Sequence, residues 1–119
     1  MKKREMIKSK KDFTTLIKTG KFFKTKDYVI YYKENNLEKI RFGLAISNKI
    51  GNAVTRNKLK RQTREIIDNL KSLFKNNTDY IIMIRKGCLE TPFEERLNNL
   101  ERKIKENIWK KTQEKNYYL

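Results

Sequence analysis

The change from strand to helix in the middle of this chain lies in the stretch SNKIGNAVTRNKLKR, residues 47–61. Gly51 and Asn52 interrupt the alternating pattern that precedes them, and Asn52 can cap a helix because its side-chain oxygen can accept a backbone N–H. The apolar residues of the predicted inward stripe then repeat at helical spacing, at Leu59, Ile66, Leu70 and Leu73. We therefore predict a helix from about residue 52 to about residue 74.

Strands are predicted on both sides of this helix. Residues 22–33 are rich in aromatic and β-branched side chains and predict one strand, with Val29 and Tyr31 on one face. Residues 39–46 alternate apolar and other residues and predict a second strand, antiparallel to the first. Residues 80–84 form a continuous apolar run, which is typical of a strand buried on both faces.

Two more helices are predicted at the ends of the chain. Ser9 and Asp12 resemble a capping box for a helix over about residues 10–19, and Gly20 can end it in a left-handed conformation. Thr91 as the cap and Pro92 at the first helical position predict the last helix.

The whole chain is expected to form one α+β domain in two layers. The predicted order is helix, strand, strand, helix, strand, helix over residues 1–119, with no repeat and no linker. The ends, at about residues 1–8 and 111–119, are expected to be flexible.

The charge of the chain predicts a polyanionic partner. The 30 Lys and Arg residues outnumber the 14 Asp and Glu residues, giving a net charge of +16 whose self-repulsion a polyanion would neutralise. Nucleic acid is favoured over a membrane surface, because no stretch reaches the ~18 apolar residues of a spanning helix. The N-terminus does not resemble a signal peptide, and the single cysteine, Cys88, cannot form an internal disulfide. Both observations favour the cytoplasm.

The positive charge is concentrated on the central helix. No acidic residue lies between Lys39 and Arg64. Within that helix Asn57, Lys60, Arg61 and Arg64 stand at i, i+3, i+4 and i+7, so they share one side and can follow a phosphate backbone. The alternative is a charged face that only keeps the helix in solution. Such faces usually mix signs, which this one does not.

Catalysis by the protein itself is not indicated. The chain has no histidine, Cys88 has no histidine to activate its thiol, and its aspartates are scattered, which suggests caps and surface charges. The aromatic residues Phe13, Tyr28 and Tyr31 could stack on unpaired bases, but the residues alone favour core packing for them.

The stretch 47–61 resembles the signature of the bacterial ribonuclease P protein family. The order and lengths of the elements agree with that family over almost the whole chain, including the helix of Phe13 that ends at Gly20 and the run of Arg85, Lys86 and Gly87 after the last strand. The resemblance implies that the central helix joins two parallel strands by an unusual left-handed crossover.

The resemblance also implies two binding surfaces. One, on and before the central helix, would face a catalytic RNA subunit, and its residues here are Lys49, Asn52, Arg56, Asn57, Lys58, Lys60, Arg61 and Arg64. The other is a cleft between the first helix and the sheet, which would take the single-stranded 5′ leader of precursor tRNA, and its residues are Phe13, Ile17, Val29 and Tyr31, with Lys60 and Arg64 at its edge.

The activity implied is removal of the leader by a ribonucleoprotein endoribonuclease, with Mg²⁺ held mainly by the RNA subunit. No organic cofactor, membrane or DNA partner is implied, and the sequence does not predict an oligomeric state. Three positions depart from the family pattern. Lys58 replaces an arginine and so loses a bidentate fork, Ile17 replaces an aromatic in the cleft, and Asn48 stands where a basic residue is common. The alternatives are a ribosomal or other structural RNA-binding protein and a protein-only nuclease.

Overall fold

The computed structural model describes residues 5–109. Three helices and four strands follow one another in the order α1 (Lys10–Thr19), β1 (Lys21–Lys24), β2 (Tyr28–Glu34), β3 (Arg41–Ile46), α2 (Ala53–Leu70), β4 (Thr78–Ile84) and α3 (Phe93–Ile104). A π-helical turn, Lys105–Trp109, continues α3. The predicted α+β class is confirmed.

The four strands form one mixed sheet in the order β1-β2-β4-β3. β4 pairs antiparallel with β2 and parallel with β3, so α2 is the crossover between two parallel neighbours. The prediction that β2 and β3 are antiparallel is correct for their directions, but the two strands do not pair. The run of buried residues predicted for β4 takes the central position between them, because only a strand apolar on both faces is stable there.

The single strand predicted over residues 22–33 is wrong, because the structure divides it into the hairpin β1–β2. The division is at a tight turn, where the hydroxyl of Thr25 accepts hydrogen bonds from the backbone N–H groups of Asp27 at 3.1 Å and Tyr28 at 3.0 Å. Threonine favours such turns because its hydroxyl can replace a backbone acceptor. The backbone N–H of Thr25 also donates to the carbonyl of Tyr28 at 2.8 Å, which closes the hairpin.

The helix starts at α1 and α2 agree with the sequence. The Ser9 hydroxyl accepts the N–H of Asp12 at 3.3 Å, and the Asn52 side chain accepts the N–H of Thr55 at 2.9 Å. The left-handed stop at Gly20 is wrong, since its φ of −78° and ψ of 164° are extended. Glycine is needed there for space, because a Cβ would lie 2.7 Å from the carbonyl oxygen of Leu16.

Two other boundaries differ from the prediction. Thr91 is not the cap of α3, because its hydroxyl donates to the carbonyl of Gly87 at 2.9 Å and the capping position falls on Pro92. The central helix ends at Leu70, and a 3₁₀ turn, Lys71–Leu73, follows it.

The main core lies between one face of the sheet and helices α2 and α3. Tyr28, Ile30 and Tyr80 on the sheet and Ile66 and Leu100 on the helices are fully buried in it. Helix α1 lies on the other face, where a Cβ at Gly43 would contact the Phe13 ring. The sheet and the pair α2 and α3 therefore form the two layers, and α1 covers part of the second sheet face.

At the N-terminus, the described residues contact the sheet and the 3₁₀ turn that follows α2. Met6 forms a parallel bridge with Phe42, the N–H of Ile7 donates to the carbonyl of Phe42 at 2.8 Å, and Lys71 forms an ion pair with Glu5 at 2.5 Å. Of the ends predicted to be flexible, residues 1–4 and 111–119 lie outside the described residues. Between residues 5 and 109, no helix is both long and apolar enough to span a membrane.

Candidate nucleic-acid interface

The central helix presents the predicted row of polar and basic side chains to solvent. We call Asn57, Lys60, Arg61 and Arg64 the basic ridge. Asn57, Arg61 and Arg64 are exposed and Lys60 is half-buried. The opposite side of α2 is buried in the core through Leu59, Thr63, Ile66, Ile67 and Leu70. The ridge therefore lies on the side of the helix that the fold leaves free.

The basic side chains in the first half of this helix form no ion pair with a described acid. Within residues 5–109, ion pairs join Arg41, Lys71, Lys103 and Lys105 to carboxylates, and none involves a basic side chain from Lys49 to Arg64. Basic side chains that only keep a surface in solution are commonly paired with acids. An unpaired row of this kind is suited to a polyanion.

The other residues predicted to face RNA lie just before α2, at Lys49 and Asn52, and in its first turns, at Arg56 and Lys58. Lys49 and Lys58 are exposed and unpaired within the described residues. Asn52 uses its side-chain oxygen to cap the helix, so its amide N–H groups are the part left for a ligand. The Arg56 guanidinium donates to the carbonyl of Gly51 at 2.7 Å, which fixes the turn and leaves its other donors free.

The second predicted surface, the cleft, lies on the sheet face beside α1. Phe13 and Ile17 on α1 and Val29 and Tyr31 on β2 are all half-buried, so each keeps part of its surface available. Tyr31 pairs in register with Ile81, and Ile81 pairs with Gly43, against which the Phe13 ring lies. The structure therefore brings the four predicted residues to one face of the molecule.

The structure does not place the two residues that were predicted for the edge of the cleft, Lys60 and Arg64. Lys60 and Arg64 lie on α2, whose buried side packs against the opposite face of the sheet. Contacts between described residues do not join either side chain to the cleft. Their predicted place at its edge remains a prediction.

Phe22 is a cleft residue that the sequence analysis missed. Its ring lies 5.8 Å from the ring of Tyr31, centroid to centroid, and its side chain is 61% exposed. Phe22 pairs in register with Tyr31 on the adjacent strand, so the two rings share one sheet face. A predicted hairpin would have revealed this residue, because a turn at residues 25–27 places Phe22 and Tyr31 opposite each other on adjacent strands.

A cluster of charges holds one end of the cleft. Arg41 donates to both carboxylate oxygens of Asp79, at 2.9 and 2.6 Å, and lies 3.6 Å from the carboxylate of Asp12 on α1. The cluster joins β3, β4 and α1, and Asn35 also donates to Asp79 at 2.6 Å. Asp79 was interpreted as a cap or surface charge. The structure shows instead a half-buried ion pair that positions α1.

Buried polar groups lie on the core side. Asp27, also interpreted as a cap or surface charge, is fully buried, and both its carboxylate oxygens lack a hydrogen-bond partner within the described residues. Cys88 is buried, its thiol donates to the carbonyl of Asp27 at 3.1 Å, and burial raises the pKa of that thiol. An inaccessible thiol with a raised pKa is a poor nucleophile, so Cys88 contributes to packing.

Metal ligation by the protein is not indicated in the described part of the chain. Residues 5–109 contain no group of three or more Cys, Asp or Glu side chains placed to hold a metal ion. The surfaces described above present cations, amides and aromatic rings.

Known proteins of one family are similar to this chain in sequence. The chain matches the Ribonuclease P family model over residues 1–111. It is 40% identical over 100 residues to the ribonuclease P protein component of Streptococcus pneumoniae serotype 4, covering 84% of this chain and 81% of that protein.

Solved structures show the same fold. The chain is similar to the RNase P protein of Staphylococcus aureus, with a TM-score of 0.74, 32% identity and coverage of 82% of this chain and 90% of that one. It is also similar to the RNase P protein of Thermotoga maritima, with a TM-score of 0.71, 32% identity and coverage of 83% and 97%. The fold, the sequence signature and these matches together show that the chain belongs to the ribonuclease P protein family.

Proposed function

We propose that this protein binds the RNA subunit of ribonuclease P through the basic ridge and the 5′ leader of precursor tRNA through the cleft. The observation that carries the proposal is the basic ridge, whose cations form no ion pair within the described residues. Its donors suit phosphate, since Arg61 and Arg64 each offer a planar fork and Lys60 a point charge. Asn57 adds a donor and an acceptor for a base edge or a ribose hydroxyl.

The cleft is suited to single-stranded RNA of variable sequence. Half-buried rings such as Phe13 and Tyr31 can stack on any base, so binding there does not require a particular leader sequence. Ile17 contributes apolar contact without a stacking surface. The position of the cleft on the sheet face, away from the exposed side of α2, lets one protein hold two RNA segments at once.

Hydrolysis in this proposal belongs to the RNA subunit, with Mg²⁺ held mainly by that RNA. The described carboxylates do not fit a resident metal, because no three of them converge. The protein contributes affinity for the leader and screens the repulsion between two RNAs, which matters most when Mg²⁺ is scarce. The product would be tRNA with a mature 5′ end, formed in the cytoplasm.

Reconstitution tests this function. Purified protein is added to ribonuclease P RNA and precursor tRNA at an Mg²⁺ concentration too low for the RNA alone, and cleavage at the mature 5′ end is followed. The expected result is restored cleavage. An unchanged rate would support a structural RNA-binding protein, and cleavage without the RNA subunit would support a protein-only nuclease.

The division of labour between the two surfaces has its own test. Arg61→Ala should weaken binding of the RNA subunit, whereas Tyr31→Ala should chiefly weaken binding of precursor tRNA that carries a leader. Lys105→Ala is a matched control, because Lys105 is exposed and lies outside both surfaces. The opposite pattern of losses would refute the assignment of the ridge to the RNA subunit and of the cleft to the leader.

A further inference from the structure

A third cationic site lies outside both the basic ridge and the cleft. It is a shallow cavity of about 370 Å³ where the β1–β2 turn, the end of β4 and one side of α3 meet. Its lining residues are Lys24, Thr25, Lys26, Arg85, Asn99, Arg102 and Lys103. Five of these seven are cationic and none is acidic, so we call it the basic pocket.

Backbone and side-chain hydrogen bonds hold the pocket in shape. The Arg85 guanidinium donates to the carbonyl of Thr25 at 2.8 Å, and the N–H of Arg85 donates to the carbonyl of Asp27 at 2.8 Å. The turn also packs closely on Gly87, where a Cβ would clash with the carbonyl oxygen of Lys26. The arginine is therefore fixed by one of its donors, and the others remain available to a ligand.

The charges of the pocket are only partly compensated within the described residues. Lys103 lies 3.6 Å from the carboxylate of Glu106, and Arg102 makes a long contact of 3.5 Å with the side-chain oxygen of Asn99. Lys24, Lys26 and Arg85 form no ion pair with a described residue. Cations brought together without acids repel one another, and a bound anion relieves that repulsion.

We propose that the basic pocket binds a phosphodiester group of RNA. This inference rests on the proposed function for the identity of the polyanion, but it adds a contact that neither the ridge nor the cleft provides. The fork of Arg85 and the point charges of the lysines suit a phosphate, and the side-chain amide of Asn99 suits the adjoining ribose. The phosphate can come from the RNA subunit or from the leader.

The double variant Lys24→Ala/Arg102→Ala tests the proposal, since both side chains are exposed and removal leaves the fixed Arg85 in place. The matched control is Lys39→Ala/Lys105→Ala, which removes the same charge from exposed positions outside the pocket. One arm measures binding of the protein to ribonuclease P RNA as a function of salt. The other measures binding of the reconstituted holoenzyme to precursor tRNA with and without a leader.

Loss of two phosphate contacts should weaken binding roughly tenfold at 0.15 M salt and reduce the slope of log affinity against log salt by roughly 1.4. A loss beyond the control in the first arm supports the pocket with the RNA subunit as its source. A loss confined to leader-bearing substrate in the second arm supports it with the leader as its source. Equal behaviour of the double variant and the control in both arms overturns the proposal.

Two further variants separate this result from other causes. Lys24→Arg/Arg102→Lys keeps both charges, so it should retain affinity within about twofold, and a loss as large as that of the alanine variant would indicate a disturbed fold instead of a phosphate contact. Arg61→Ala and Tyr31→Ala are measured alongside. If they lose affinity while the pocket variant does not, only the pocket is wrong. If none of them loses affinity, the proposed function is wrong as well.

Discussion

Gly43 shows how one residue shapes the cleft. A Cβ at this position would lie 2.6 Å from one carbon of the Phe13 ring and 3.5 Å from the side chain of Ile81. The absence of a side chain therefore lets the ring approach the sheet, and α1 with it. The sequence predicted Phe13 for the cleft only through the family resemblance. The glycine that admits it could be recognised only once β3 and α1 were placed face to face.

Gly43→Ala should displace the Phe13 ring and lower the free energy of unfolding by about 1–3 kcal/mol, the usual cost of overpacking. The measurement is urea unfolding of the variant. In a Phe13→Leu background the same substitution should cost less, because the smaller side chain leaves room for the methyl group. If Gly43→Ala lowers the free energy of unfolding equally in both backgrounds, the Phe13 ring is not what excludes a side chain at position 43.

Tyr80 carries a pH dependence of stability. It is fully buried between the rings of Phe42 and Phe74, and burial raises its pKa to about 12. In the unfolded chain the phenol loses its proton near pH 10. Between about pH 10 and 12 the unfolded state therefore binds fewer protons than the folded state, and the free energy of unfolding falls as pH rises.

The expected contribution from Tyr80 is a fall of up to about 1.4 kcal/mol per pH unit in that window. Tyr80→Phe loses the hydrogen bond from the N–H of Lys75 and is less stable at neutral pH, but it has no phenol to titrate. Unfolding of both proteins from pH 9 to 12 should show a shallower decline for the variant. Parallel declines would contradict the assignment to Tyr80.

At the scale of elements, the sequence predicted what depends on local chemistry. The three helices follow from apolar spacing and from the caps at Ser9 and Asn52, which act within a few residues. The hairpin at Thr25 was missed because one hydroxyl takes the place of the glycine or asparagine that usually marks such a turn. The strand order was beyond local reasoning, since β4 enters between β2 and β3 from far along the chain.

The candidate site, like the fold, could be predicted only where it depends on a single element. The basic ridge could be predicted from spacing on one helix, and the structure leaves it free on the surface as expected. The cleft required the fold, because its sides come from α1 and β2. Phe22 and Arg41 were missed since each acts through a residue on another strand or helix.

Arg41 connects β3, β4 and α1, so its substitution should destabilise the contacts between all three elements. Arg41→Ala should lower the free energy of unfolding by about 2–3 kcal/mol, because it leaves the half-buried Asp79 without its charged partner. Arg41→Lys should recover part of this, as it keeps the charge and loses the fork. The more exposed contact with Asp12 is worth less, so Asp12→Asn should cost under about 1 kcal/mol. Urea unfolding measures all three, and equal costs for Asp12→Asn and Arg41→Ala would contradict this ranking.

At the scale of the whole molecule, positive charge is placed where it costs stability. The net charge is +16, and the unpaired cations of the described residues include those on α2 and around the basic pocket. On α2 four pairs of like charge are three or four residues apart, so each destabilises the helix by about 0.2–0.5 kcal/mol. They are Arg56 with Lys60, Lys58 with Arg61, Lys60 with Arg64 and Arg61 with Arg64. A surface selected for stability alone would alternate the signs.

The triple variant Lys60→Gln/Arg61→Gln/Arg64→Gln should therefore be more stable than the natural chain. The variant removes four repulsive pairs and two attractive ones, Arg61 with Glu65 and Arg64 with Asp68. The net gain is therefore about 0.5–1 kcal/mol, which corresponds to a rise in Tm of about 2–4 °C at low salt. The matched control, Lys71→Gln/Lys103→Gln/Lys105→Gln, removes the same charge from lysines that do have acidic partners, and its Tm should stay unchanged or fall. Salt screens repulsion, so added NaCl should raise the Tm of the natural chain more than that of the ridge variant. Thermal melts from 0.02 to 0.5 M NaCl measure this. If the ridge variant instead melts lower than the control, the cations of α2 stabilise the free protein, and their arrangement could not be attributed to a polyanionic partner.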